Sequence, residues 1–279
     1  MNIANYILDE QKCVGCGLCT KVCPAGLIHV GKSGKAEMDD IKGFGWYGCW
    51  KCQHCLAICP KGAISILGKD PINSLLPPKQ ESAEMILDAL MTNRRSCRHF
   101  LDQDVDRDII DDMLAILTAA PNGGNKMQVR YAVIDDKKIM LEIKKRVYEI
   151  MFSNAEEGIY PDGFDKSSFD DYMKDAGLED GKTDILFKGA PHIFIAHAPQ
   201  GSGTWVQDVN IVSTYFDLLC ASRGLGSIMM TFPLNALRAV PGLLEELGIP
   251  EDHYIAMVVG FGKPMYIYAR GVQKDIENE

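Results

Sequence analysis

The chain has 279 residues, 29 Lys and Arg against 38 Asp and Glu, and a formal net charge of −9. That length holds one large domain or two unequal ones, and 47% hydrophobic with 24% charged residues is the composition of a core-forming globular chain. The acidic excess argues against a general binder of nucleic acid or anionic membrane, which needs a basic surplus. No run approaches the roughly 18–20 apolar residues of a membrane span. The first residues carry Asp9 and Glu10 and no apolar segment, which argues against a secretory signal. These features predict a soluble cytoplasmic protein with no nucleic-acid and no membrane partner. Ten cysteines in a reducing compartment then require a use other than disulfides.

Eight of the ten fall between Cys13 and Cys59, in two runs, Cys13-Val-Gly-Cys16-Gly-Leu-Cys19-Thr-Lys-Val-Cys23-Pro24 and Cys49-Trp-Lys-Cys52-Gln-His-Cys55-Leu-Ala-Ile-Cys59-Pro60. Both read C-x2-C-x2-C-x3-C-P, each cysteine recurs 36 positions later, and Ala25-Gly26-Leu27-Ile28 aligns with Lys61-Gly62-Ala63-Ile64 at the same offset. This is an internal repeat of one supersecondary unit. Three thiolates at three-residue intervals can wrap one face of a cubane cluster, and the cysteine before proline points away toward a second one. Structural zinc, which pairs two short hooks around one tetrahedral ion, suits duplicated triplets poorly.

This spacing is the two-cluster bacterial ferredoxin signature, and residues 1–68 resemble a 2[4Fe–4S] bacterial-type ferredoxin. The resemblance implies that Cys13, Cys16, Cys19 and Cys59 hold one [4Fe–4S] cluster, and that Cys49, Cys52, Cys55 and Cys23 hold the other. The 25 residues between Cys23 and Cys49 are longer than compact members need, and within them Phe44, Trp46 and Tyr47 are placed to shield a cluster or to pack on the next domain. Residues 1–68 are formally +2 and the remainder −11, so the acidic excess lies outside the cysteine-rich part.

Residues 69–80, with three prolines and little periodicity, read as an extended linker. A helix is predicted next, capped by Ser82, with Met85, Ile86, Ala89 and Leu90 on one face and its end at Asn93. Arg94-Arg95-Ser96-Cys97-Arg98-His99-Phe100 follows; its three arginines and serine offer bidentate donors and a hydroxyl to a phosphate. A second helix runs from Asp106 to Ala119-Ala120 and stops at Pro121-Asn122-Gly123-Gly124-Asn125-Lys126-Met127-Gln128. A strand, Val129 to Ile134, comes after that loop.

Together these segments resemble the FMN-dependent nitroreductase family, which carries an R-R-S-x-R-x-F motif after its first helix and, about 25 residues on, an A-P-S-x-x-N-x-Q-P-W loop. Gly189-Ala190-Pro191 before the strand Ile193–Ala196, Gly224-Leu225-Gly226-Ser227 after a long helix from Trp205 to Ser222, and Val258-Val259-Gly260-Phe261-Gly262-Lys263-Pro264 extend the likeness over residues 81–279. It implies an α+β fold with a mainly antiparallel central sheet, forming an intertwined homodimer with FMN in clefts at the subunit interface. By the same likeness Arg94, Arg95, Ser96 and Arg98 hold the FMN phosphate and ribityl chain, with Lys263 or Arg270 closing that site. Asn122, Gly123 and Asn125 come from the other subunit, Gln128 faces the isoalloxazine edge, and Met229, Met230 and Thr231 lie under the ring.

Val129-Arg130 replaces the family's proline and tryptophan, and Thr231-Phe232 stands where relatives place glutamate and glycine. The Gly-, Asp- and Lys-rich segment 153–184 reads as a substrate lid or a solvated excursion. No G-x-G-x-x-G follows a strand, so no dedicated dinucleotide domain is evident. Cys97 and Cys220 read as inert thiols, and no side chain is required as an essential catalytic acid. The expected activity is a flavin- and iron–sulfur-dependent oxidoreductase that reduces a planar organic acceptor, a nitroaromatic or quinone, with an activated alkene as rival. The donor is NAD(P)H or, preferably, an external ferredoxin or similar redox protein. The competing reading is an electron carrier or redox sensor without turnover.

Overall fold

The computed structural model describes residues 3–41, 43–45, 48–162, 164–201 and 203–272. The chain forms two compact units: Met1–Lys79 with Asn122–Met127, and Gln80–Pro121 with Gln128–Glu279.

The first unit is built from the repeat. Strand β1 (Ile7–Leu8) precedes helix α1 (Leu18–Val22), the hairpin β2 (Ile28–Val30) and β3 (Ala36–Met38), helix α2 (His54–Ile58) and strand β4 (Ile64–Ser65). β1 pairs antiparallel with β4, and β2 with β3. Equivalent positions share an uncommon backbone. Gly15 and Lys51 have φ of 67° and 55°, Gly17 and Gln53 have 71° and 59°, and Gly26 and Gly62 have 65° and 56°. Lys51 and Gln53 hold this left-handed geometry with a Cβ, at about 1–2 kcal/mol each. Gly15 has no such option, because a Cβ there would lie 2.1 Å from the Gly34 carbonyl oxygen. The core joins Ile28, Ile41, Leu56, Ile64 and Ile66 to Cys13, Cys19, Cys49 and Cys55. Lys51 places its ammonium 4.0 Å over the Phe44 ring, while Trp46 and Tyr47, the other two aromatics expected to shield a cluster, lie outside the described residues.

In the second unit, helix α3 (Gln80–Asn93) starts two residues before the expected cap, so Ser82 sits inside its first turn. Helix α4 (Arg107–Leu117) buries Ile110, Met113 and Leu117 and has Asp106 at its N-cap. Strand β5 (Arg130–Ile134) leads to helix α5 (Lys137–Glu156), whose Asp136 cap accepts hydrogen bonds from the Lys138 and Ile139 amides at 2.7 and 3.3 Å. Helix α6 (Lys166–Met173) and strand β6 (His192–Pro199) follow. Helix α7 (Trp205–Ser222) stops as predicted at Gly224, where φ is 69° and the Leu225 amide bonds back to the Cys220 carbonyl at 2.9 Å. Strand β7 (Gly226–Met230), helices α8 (Phe232–Ala239) and α9 (Leu243–Glu246), and strands β8 (His253–Ile255) and β9 (Val258–Gly262) complete the unit.

The sheet runs β5-β6-β9-β7, with β8 also paired to β6, and every pairing is antiparallel. β6 is covered on both faces. Ile193 and Ile195 enter a core with residues of α5, α6 and α8, whereas Phe194, Ala196 and Ala198 enter one with residues of α4 and α7. That alternation is the period-two geometry of a strand buried between two helical layers. Phe216 of α7 stacks on Phe194 with centroids 4.0 Å apart, and meets Phe261 edge-on at 5.2 Å.

The 153–184 segment is not wholly a solvated excursion. Phe169, Met173 and Ala176 are 2–4% exposed and belong to the α5–α8 core. By contrast, the apolar face of α3 is uncovered in the single chain, with Met85, Ile86, Leu87 and Met91 between 49% and 69% exposed.

Phe216→Ala should lower unfolding free energy by about 3–5 kcal/mol, because the vacated ring space is fully enclosed; exposed Ile139→Ala should shift it by less than about 0.5 kcal/mol. Equilibrium urea denaturation measures both. Buried His197 places its Nδ1 2.7 Å from Nδ1 of His253, and burial, with His253 and Arg130 nearby, pushes its pKa down to about 4. The unfolded chain therefore takes up this proton first as pH falls. Stability should decline between about pH 6.5 and 4, by up to about 3 kcal/mol, and level off below. His197→Asn should flatten that part of the curve in urea midpoints taken across the range.

Candidate functional site

Two cavities in the first unit sort the eight cysteines. One, about 390 Å³ with its mouth included, is lined by Cys13, Cys16, Cys19 and Cys59 together with Val14, Val30, Ala36 and Lys61. The other, about 330 Å³, is lined by Cys23, Cys49, Cys52 and Cys55 with Leu27, Met38 and Trp50. Each cavity thus takes three thiols from one run and the fourth from the other. Among the described residues no three Cys, His, Asp or Glu side chains gather tightly enough to hold one metal ion. The thiols stand around a space, as a cubane requires, since each of its irons takes one cysteine.

The surroundings fit such a group. Amides of Leu27 and Ala63, 36 residues apart, donate to the sulfurs of Cys23 and Cys59 at 3.4 and 3.3 Å, and the Lys51 amide donates to Cys49 at 3.4 Å. The Tyr6 hydroxyl is buried without a partner among the described residues, close enough to Cys19, Cys55, Cys13 and Cys59 for those thiols, after burial, to raise its pKa. It is an orphan donor beside cysteines of both sets. Burial also pushes up the thiols of Cys19 and Cys49, and Cys55 to about 11. In the low-dielectric cavity, thiolates are favoured only when a cation compensates them, and iron does so.

In the second unit the arginine loop lies along the sheet edge. Ser96 forms a bridge with Ser227 at the start of β7, the Cys97 amide donates to the Ser227 carbonyl at 2.8 Å, and the Leu101 amide donates to the Lys263 carbonyl at 2.9 Å. Gly226 permits this approach, since a Cβ there would stand 2.6 Å from the Cys97 sulfur. Arg94 pairs through Nε with Asp217 at 2.7 Å. Arg95 donates through Nη1 to the Arg94 carbonyl at 2.5 Å, while its Nη2 is buried without an acceptor among the described residues. Arg94, Arg95 and Cys97 line a cleft of about 1000 Å³, open mouth included, with Asn93, Tyr266 and Tyr268. An orphaned guanidinium nitrogen on such a cleft suits an anionic group, as a flavin phosphate is.

The remaining expected residues are dispersed. Ser96 and Arg98 are absent from that cleft's lining, and Arg98 donates weakly to the Ser96 carbonyl at 3.4 Å. Asn122, Gly123 and Asn125 group with the first unit, where the Asn125 side-chain amide donates to the Trp50 carbonyl at 2.9 Å and Asn122 accepts from the Met127 amide at 2.9 Å. Gln128 is half-buried just before β5. Met230 turns its side chain into the α5–α8 core at 8% exposure, so its side chain is not on the open face of β7; Met229 is, at 38%. Thr231 is exposed at the head of α8, Lys263 is half-buried and Arg270 exposed.

Four residues missed in the sequence belong here. Asp217 and Ser227 join through a hydroxyl-to-carboxylate hydrogen bond of 2.7 Å. Lys188 is half-buried in the left-handed region (φ 55°), its pKa pushed down by burial and then by Arg98. Asp184 braces that turn, accepting from the Phe187 and Gly189 amides at 3.0 and 3.1 Å and pairing with buried Lys144 at 2.8 Å. A K-G-A-P run was the available signal.

Residues 91–263 match the pattern of the nitroreductase family. The chain belongs to the nitroreductase family. Residues 12–63 match a 4Fe–4S dicluster domain, and an uncharacterized ferredoxin of Methanocaldococcus jannaschii is 39% identical over 62 residues, which are 22% of this chain and 74% of that protein. The nitroreductase-family unit thus follows a dicluster ferredoxin module. Against two further curated relatives it spans only 19% of their length. Among solved structures, a nitroreductase with bound FMN from Bacteroides fragilis has a TM-score of 0.54 at 16% identity, covering 69% of this chain and 94% of that one. Another from Desulfitobacterium hafniense has a TM-score of 0.51 at 22% identity, covering 66% and 92%. At these identities the likeness establishes the fold.

The two crossed cavities predict paired phenotypes. Cys23→Ser should alter the same electron paramagnetic resonance signal of the reduced protein as Cys52→Ser, and Cys59→Ser the same signal as Cys16→Ser. If Cys23→Ser instead behaves like Cys16→Ser, the crossed arrangement is wrong.

Proposed function

We propose that this chain is a flavin- and iron–sulfur-dependent oxidoreductase that reduces a planar organic acceptor, with nitroaromatics and quinones as the first substrate classes. The single observation that supports this most is the pair of four-cysteine cavities in the same chain as an arginine loop with an orphaned donor. When bound, two [4Fe–4S] clusters supply single electrons and FMN supplies both one- and two-electron chemistry.

On this reading Cys13, Cys16, Cys19 and Cys59 hold one cluster, and Cys23, Cys49, Cys52 and Cys55 the other. Arg94, Arg95, Ser96 and Arg98 serve the flavin phosphate and ribityl chain, aided by Lys263 or Arg270. Asn122, Gly123 and Asn125 reach the flavin from the other subunit, Gln128 faces the ring edge, and Met230 and Thr231 contribute through their backbone. A flat acceptor suits the aromatic group beside Thr231, where Phe164 and Tyr172 each lie with ring centroids 5.0 Å from Phe232. Such rings exclude water and offer faces for stacking. No side chain in this group is assigned as an essential acid.

The protein acts as a homodimer in this proposal. The exposed apolar face of α3 and the 62–91% exposed Tyr266, Ile267 and Tyr268 are surface that a second copy would cover. The preferred electron donor is an external ferredoxin or comparable redox protein, with NAD(P)H as the alternative and an activated alkene as the rival acceptor. A soluble cytoplasmic setting fits the absence of any helix, among the described residues, long and apolar enough to cross a membrane.

Purified under anaerobic conditions, the protein should carry about eight irons and one FMN per chain, as the two cluster sites and one flavin site imply. Reduced protein should reoxidise rapidly with a nitroaromatic or a quinone. Failure with nitro compounds, quinones and enones alike would leave only the electron-carrier reading. Rapid flavin bleaching by NADH or NADPH alone would overturn the preference for an external donor.

A further inference from the structure

We propose that Asp217 is a positioning residue, which from the long helix α7 aims the guanidinium of Arg94 at the phosphate of FMN. The proposal rests on the flavin reading above and assigns a role to a residue that lies outside the arginine motif by more than a hundred positions.

The geometry has three parts. The Asp217 side chain is 4% exposed and its Oδ2 lies 2.7 Å from Arg94 Nε, an ion-pair contact in which the buried Nε–H is not directed at the oxygen. Its Oδ1 accepts the hydroxyl of Ser227 at 2.7 Å. Ser227 in turn bridges Ser96, and its carbonyl accepts the Cys97 amide at 2.8 Å. One carboxylate therefore ties α7, the first turn of β7 and the arginine loop together. Arg94 stands immediately after α3, its amide bonded to the Leu90 carbonyl at 2.9 Å, so its backbone is fixed from the other side.

A guanidinium is planar and carries its five N–H groups in a rigid fork. The 2.7 Å charge contact keeps the Nε end of that fork against a buried carboxylate and so restricts where the two Nη atoms, with their four N–H groups, can lie. The Arg94 side chain is 32% exposed and forms part of the wall of the cleft that Arg95 also lines. A free arginine would have to give up the rotamer freedom of a long side chain on binding an anion, whereas this one has given it up on folding.

The bland alternative is a structural ion pair. Buried pairs, however, are often no more stabilising than well-packed apolar residues of the same size. Stability alone therefore gives little reason for this one, at the mouth of a cleft and next to a second arginine whose Nη2 lacks an acceptor.

The two roles separate in the preference for FMN over riboflavin, which lacks only the phosphate. Full-length protein stripped of flavin is titrated with each, and the quenching of flavin fluorescence gives both dissociation constants. In Asp217→Asn the ratio of the two constants should shrink by about tenfold or more, as expected for a misdirected charged hydrogen bond. Riboflavin affinity should change little. The Arg94→Gln, Asp217→Asn double variant should show a ratio no smaller than Arg94→Gln alone. A ratio unchanged from wild type, whether both affinities fall together or neither falls, would show a structural role only and overturn the proposal. Should Asp217→Asn fail to fold, Asp217→Glu keeps the charge and displaces it by one methylene; a reduced ratio supports positioning, and an unchanged ratio overturns it. If the wild-type protein binds FMN no better than riboflavin, it is the flavin-phosphate reading that fails, and the positioning role falls with it.

Discussion

Burial of β6 on both faces is the constraint on which the second unit depends. A strand flanked by two helical layers must send alternate residues into separate cores, and β6 does so with Ile193 and Ile195 on one side and Phe194 and Ala196 on the other. Its neighbours inherit that geometry. β9 and β7 extend the sheet, and the stack of Phe216 on Phe194 fixes the rotation of α7 about its own axis. Once that rotation is set, the residue after Phe216 has one place to go. Asp217 is carried inward toward β7 and the arginine loop, so an apolar contact determines where a charged one forms.

The first unit is organised by different physics. Its strands are two or three residues long and its core includes four cysteines. So small a core supplies little hydrophobic stabilisation, and metal coordination is the natural supplement. The positive φ angles at Lys51 and Gln53 belong to the same account. The turns around the cysteines keep the geometry of their glycine-bearing counterparts because the ligand positions require it, even where the residue type does not favour it. The two units thus rely on opposite sources of order: one on two apolar layers, the other on sulfur, amide hydrogen bonds and a compact repeat.

What could be read from the sequence was local. Cysteine spacing within each run, the two ends of α7 and the stop at Gly224 depend on residues within one turn or one helix of each other, and the offset of 36 is a plain repeat. Apart from the crossed cysteines, contacts between distant segments left little trace. Nothing near Asp217 or Tyr6 marks either as a partner of the sites, and Lys188 is distinguished only by the fold that brings it to Arg98. Where alternation mattered, a single position decided the outcome: Met229 and Met230 are adjacent, yet β7 turns the first outward and the second into the core. The 153–184 segment is polar in composition, yet Phe169, Met173 and Ala176 within it join one core. The apolar stripe of α3 was visible as a pattern, but a stripe does not say whether its cover comes from the same chain.

The crossing of the fourth cysteines has a consequence for how the protein is made. Cys59 completes the wall of the cavity that begins at Cys13, and Cys23 completes the one that begins at Cys49. On a growing chain the first wall lacks a thiol until residue 59 has been added, and the second until residue 55. A half-synthesised module therefore offers three thiols where four are needed, and iron delivered early would meet an unfinished and oxidisable site. Biogenesis of this protein is in that sense all or nothing: both cavities become competent within the same few residues of elongation, and loss of either cysteine–proline corner damages the site belonging to the other half.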